Sequence, residues 1–177
     1  SIQFKEVFNS TFGVDLTEPQ RIVTTNQRGK AFVLNFRRKV FKLGMNVGEN
    51  KNMQFLFSDV LNNPRKDYIV LGQQELGIFS YTNDNDFKGF GNHQFNHEQS
   101  HLFEVKMPNT DKFRIGTLSK ESNHVYLFNG TAKLFPDFPL PGTTPFCIAD
   151  LFDDGINVLV VGNGNSVFAY KLKNIVF

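Results

Sequence analysis

Val14-Asp15-Leu16, Ser58-Asp59-Val60, Phe103-Glu104-Val105 and Ala149-Asp150-Leu151 each place one acidic residue at the end of an apolar run. The acids are 44, 45 and 46 residues apart. A fixed period in this range marks a repeat architecture and has to be read before any single element. A second column runs in parallel. Phe32, Phe79, Tyr126 and Phe168 each sit in an alternating stretch, at separations of 47, 47 and 42. The acid-to-aromatic distance is 17, 20, 22 and 18 residues. The changes in length fall in Asn62-Asn63-Pro64-Arg65-Lys66 and Met107-Pro108-Asn109-Thr110-Asp111. Those are turn compositions, where insertions do least harm.

Each unit divides into about four short apolar stretches. In the second they are 53–60, 68–72, 77–81 and 87–90; in the third, 102–105, 113–117, 124–128 and 133–138. The fourth has 146–151, 157–162, 166–170 and 174–177, and the first has 11–16, 21–25, 30–36 and 40–43. Val125-Tyr126-Leu127-Phe128 and Val167-Phe168-Ala169-Tyr170 have the period-two pattern of strands. With 21 Phe residues, the chain is rich in residues that fit a pleated surface. Links such as Gly162-Asn163-Gly164-Asn165 suit tight hairpins. Helical spacing of apolar residues is missing throughout. The expected fold is therefore all-β: a β-propeller built from four ~45-residue four-stranded blades, as part of a larger ring. The blades are expected at about 9–50, 51–97, 98–144 and 145–177 of a single domain spanning 1–177, with 1–8 as the outer strand of an upstream or closing blade. Ile2 to Phe8 resembles the outer strand Phe36 to Phe41, which favours an upstream blade, and Phe177 reads as a true C-terminus.

Bulk properties exclude several classes. The chain has 177 residues, 40% hydrophobic and 20% charged, which fits a globular domain with a real core. A net charge of +2 gives no basis for nucleic-acid or membrane-surface binding. Arg37-Arg38-Lys39 reads as a solvated turn. No apolar run reaches bilayer-spanning length. Cys147, the one cysteine, lies in Phe146-Cys147-Ile148-Ala149 and reads as a buried small hydrophobe. The absence of Trp removes the WD-repeat and quinoprotein signatures.

Cys147-Ile148-Ala149-Asp150-Leu151-Phe152-Asp153-Asp154-Gly155-Ile156-Asn157-Val158-Leu159-Val160-Val161-Gly162 resembles the FG-GAP/VCBS class of propeller repeat, which includes the blades of integrin α-subunit heads. Phe135-Pro136-Asp137-Phe138-Pro139-Leu140 is similar to an outer strand of bacterial members. The resemblance implies an extracytoplasmic protein and loops that hold calcium through oxygens at relative positions one, three, five and nine. Asp59, Asn63 and Asp67 supply three of those four in the second unit, which makes them the candidate calcium ligands. The competing reading has such acids accept hydrogen bonds from the following turn. The fourth unit offers Asp150 and Asp154, with Asp153 spare.

His93, His97 and His101 would share one face of a helix and suggest zinc, but their segment reads as a polar loop between strands. Asp153-Asp154 and Asp84-x-Asp86 read as turns rather than as a catalytic acid pair. No nucleophile motif or phosphate-binding loop occurs. The outer-strand aromatics Phe41, Phe87, Phe90, Phe135 and Phe138 could offer a carbohydrate or peptide platform; packing one blade's rim on the next is the preferred reading. The functional expectation is a non-enzymatic binding or assembly module, the C-terminal part of a larger protein, with a protein or carbohydrate ligand and with self-association or further blades. The alternative is a carbohydrate-active hydrolase or lyase working at the axial mouth.

Overall fold

A computed structural model describes residues 8–16, 20–35, 39–46, 53–63, 65–82 and 86–172. Four antiparallel sheets follow one another along the chain, and the described residues contain no helix. The first sheet holds β1 (Phe8–Asp15), β2 (Arg21–Asn26), β3 (Lys30–Asn35) and β4 (Val40–Asn46). The second holds β5 (Gln54–Ser58), β6 (Asp67–Leu71), β7 (Glu75–Tyr81) and β8 (Phe87–Gln94). The third holds β9 (His101–Lys106), β10 (Phe113–Ser119), β11 (His124–Phe128) and β12 (Leu140–Pro141). The fourth holds β13 (Phe146–Ala149), β14 (Val158–Asn163) and β15 (Ser166–Lys171). Strand order within every sheet is sequential.

Corresponding strands neighbour one another. β1 packs on β5, β5 on β9 and β9 on β13, while β4 packs on β8. Sequential meanders whose first strands sit side by side form a β-propeller. Gln54 clips two of these inner strands together. Its Nε2 donates to Ser100 O and its Oε1 accepts from Leu102 N, both at 2.8 Å, so a side-chain amide does the work of a ladder hydrogen bond.

Each sheet has two apolar faces and buries them against its neighbours. Three buried clusters result, one per seam. Val23, Val33 and Phe41 of the first sheet meet Tyr68, Val70 and Phe79 of the second. Ile69 and Ile78 meet Ile115 and Phe128. Leu118 and Leu127 meet Phe146, Ile148, Leu159 and Val161.

Two expectations need correcting. The stretch 133–138 is not a ladder strand: it makes a single bridge, Phe128 to Leu134, and β12 follows later. Pro136 and Pro139 lack the N–H that a ladder needs. The second outer strand runs on to Gln94 instead of stopping at Phe90, so His93 belongs to a strand. The expected strands at 2–8 and 174–177 lie outside the described residues except for Phe8, which opens β1. The Arg37-Arg38 turn and Asp84 also lie outside them.

Candidate functional site

The predicted calcium loop is brought together, and its oxygens meet hydrogen-bond donors. Asp67 is fully buried, and its Oδ2 accepts from the Val60 and Leu61 amides at 2.9 Å each. Its Oδ1 accepts from Asn63 Nδ2 at 3.4 Å. Asp59 Oδ1 accepts from Asn63 N at 2.7 Å, and Asn63 Oδ1 from Arg65 N at 2.9 Å. Burial raises the Asp67 pKa above the ordinary carboxylate value, against the lowering effect of those bonds. Asp150 repeats the device: its oxygens accept from Asp154 N at 3.2 Å and Gly155 N at 2.9 Å. Both acids therefore organise the turn that follows an inner strand. Asp15 differs: it lies buried in the first seam, where it accepts from Tyr68 Oη. Glu104 falls inside β9, opposite Ile115, and is exposed. The acidic column thus serves two structural purposes, a turn and a seam contact, and Glu104 shares neither.

The three histidines diverge. His93 lies edge-on to Phe95 and tilted against Phe128, each at 4.8 Å between ring centres, and burial lowers its pKa. His97 lies 3.5 Å from Glu121, and His101 Nδ1 is 3.1 Å from Ser100 Oγ. Among the described residues, no group of three or more His, Cys, Asp or Glu is placed to hold a metal ion.

The aromatic column has a clear role. Opposed residues in an antiparallel pair share a face, so the registers assign every side chain to the face toward the preceding sheet or the face toward the following one. On the middle strands the preceding-side pairs are Thr24–Phe32, Tyr68–Phe79, Thr117–Tyr126 and Val161–Phe168. The following-side pairs are Val23–Val33, Ile69–Ile78, Leu118–Val125 and Val160–Ala169. On the middle strands, each seam therefore joins an aromatic-bearing pair to an aliphatic pair. Among the described residues no further sheet continues this pairing at either end. Val160–Ala169 lies on a face with Cys147 and with Val167, which is 76% exposed. Cys147 is exposed, contrary to expectation, because alternation along β13 turns it away from its buried neighbours Phe146 and Ile148. On the first sheet, Phe12 is 58% and Val14 41% exposed, whereas Thr24 and Phe32 on the same face are buried.

A second feature lies at the outer edge of the first seam. Lys30 pairs with Asn46 and Phe32 with Lys42, so Leu43, Gly44 and Met45 bulge opposite Ala31, with Gly44 at φ +70°. On β8, Gly91 pairs with Ile78 and Gly89 with Phe79, which leaves Phe90 as a bulged residue. These two bulges line one cleft of about 440 Å³ together with Glu75, Gly77, Phe79 and Asn92. Gly77 leaves room there for the Met45 sulfur and the Phe79 ring, which a Cβ would meet at 2.7 and 2.8 Å. Burial raises the Glu75 pKa; its hydrogen bond with Gln94 works the other way. Among the outer-strand aromatics, Phe41, Phe87 and Phe138 are buried and Phe135 partly so, as rim packing predicts. Phe90 departs from that pattern at 44% exposure. Its sequence neighbours do not reveal the bulge, because a bulge is a property of two strands in register.

No protein-family model matches the sequence, and no curated protein does. Among solved structures, one described as "Streptogramin B lyase structure" aligns with 95% of this chain at 14% identity and a TM-score of 0.48. The chain covers 58% of the length of that protein.

Proposed function

We propose that the chain is a non-enzymatic assembly module, and that its two terminal sheet faces join in a blade-to-blade seam between two copies. The observation that carries this reading is the repeated polarity of the seams. Three times within the chain an aliphatic pair meets an aromatic-bearing face, and the fourth aliphatic pair, Val160–Ala169, lies open beside Val167. Exposed apolar area of this kind favours association. At the other end, Phe12 and Val14 are the exposed apolar part of the matching face, beside the buried Thr24 and Phe32. A head-to-tail contact of this sort forms a closed ring when its rotation closes. Two four-sheet copies make eight blades, within the usual range for propellers. Blades supplied by a longer parent chain would meet the same two faces.

Light scattering across a concentration series tests the proposal. A mass of two chains, returning to one chain in Ala169→Lys, is the expected result. A single-chain mass at every concentration would overturn it.

A further inference from the structure

We propose that the cleft between the two bulged outer strands binds a neutral saccharide, with the Phe90 ring as its stacking platform. The cleft is independent of the terminal faces, since it sits at the edge of the first seam. Two bulges on successive outer strands face each other across it, Leu43–Met45 on β4 and Phe90 on β8. Bulges bend a strand and re-aim a side chain, and they gather next to working sites. Here the bulge holds an aromatic ring in solvent at the cleft while the comparable Phe41, Phe87 and Phe138 are buried.

The lining selects the ligand class. A volume of about 440 Å³ suits a ligand of a few rings or fewer. None of the described lining residues is basic, and Glu75 is a carboxylic acid, so an anionic ligand has no counter-charge there. The polar groups are Glu75, bonded to Gln94, and the exposed Asn92. Register places Glu75, Gln94 and Asn92 on the same face of the second sheet. The Glu75 carboxyl and the Asn92 amide offer both acceptors and donors, which is what hydroxyl groups require, and Gln94 holds the carboxyl in place. The aromatic ring supplies the apolar surface for the C–H face of a pyranose. An ammonium ligand would use the ring and the carboxylate but leave the amide acceptor–donor pairs without purpose.

The test is protein-observed NMR on the full chain with neutral trisaccharides built from glucose, galactose, mannose, xylose and N-acetylglucosamine, each at millimolar concentration. Tetramethylammonium and inorganic phosphate serve as comparison probes. The expected result is that at least one trisaccharide moves the Gly44, Gly89 and Gly91 amide signals to saturation. Phe90→Ala then weakens binding at least about tenfold, equivalent to about 1.4 kcal/mol, while Phe90→Tyr retains it. Phe90 is exposed, so neither variant threatens the fold. The proposal fails if no trisaccharide moves those signals, if Phe90→Ala binds as tightly as the parent, or if tetramethylammonium or phosphate alone moves them.

Discussion

The Tyr68 hydroxyl donates to Asp15 Oδ2 at 2.5 Å across the seam between the first two sheets. Both residues are almost wholly buried, and Arg21 closes the group by donating from Nη1 to Tyr68 Oη at 3.3 Å. The Arg21 guanidinium also lies 4.3 Å from the Tyr81 ring centre, a cation–π contact. Tyr68→Phe removes one hydrogen-bond donor from a buried carboxylate. The expected cost is about 1–3 kcal/mol, measured by denaturant unfolding. An unchanged midpoint would mean that the group contributes nothing to the seam.

The same tyrosine gives a pH signature. Burial, followed by the bond to Asp15, raises its pKa above the ordinary tyrosine value of 10. Above about pH 10 the unfolded chain loses this proton while the folded chain keeps it, so stability falls as pH rises. Below that point the contribution is complete. Melting temperatures from pH 8 to 11 should drop more steeply for the parent than for Tyr68→Phe, and parallel curves would contradict the assignment.

Glycine substitutions should separate the seams from the cleft. A Cβ on Gly91 would sit 2.0 Å from Thr131 O, and one on Gly130 would sit 2.3 Å from Val60 O. Both clashes are with backbone, so Gly91→Ala and Gly130→Ala should each cost about 1–3 kcal/mol or more. At Gly89 the nearest atom is 3.7 Å away, an ordinary contact with Phe79. Gly89→Ala should therefore stay close to parental stability. Equal losses at all three sites would show that the second and third sheets are not packed as described.

Calcium at the Asp59–Asn63–Asp67 loop is decided by melting. The carboxylate oxygens that already serve backbone donors need no cation to hold the turn. The expected shift between millimolar calcium and a chelator is under about 2 °C, less than about 1 kcal/mol for a chain of this size. A larger rise that is lost in Asp59→Ala would establish a cation site.

Much of this arrangement was legible in the sequence because the repeat reports on seams. Phe32, Phe79, Tyr126 and Phe168 recur at one place on the third strand of every sheet, each on the face toward the preceding sheet. The acidic column was a poorer guide. Asp59 and Asp150 cap turns, Asp15 anchors a seam and Glu104 is exposed in mid-strand, so a shared residue type conceals different surroundings. Phe90 and Phe87 read alike in sequence, and only pairing with β7 shows that one is bulged. The expectation for Cys147 fails for a related reason: burial of that face depends on a neighbouring sheet, which local pattern does not record.

Alkylation of Cys147 as a function of protein concentration tests the matched terminal faces most directly, because the thiol lies on the open face beside Val160 and Ala169. If two copies close over that face, modification slows as concentration rises, and Ala169→Lys restores the fast rate at every concentration. A rate that is independent of concentration, with Ala169→Lys reacting like the parent, would contradict the account.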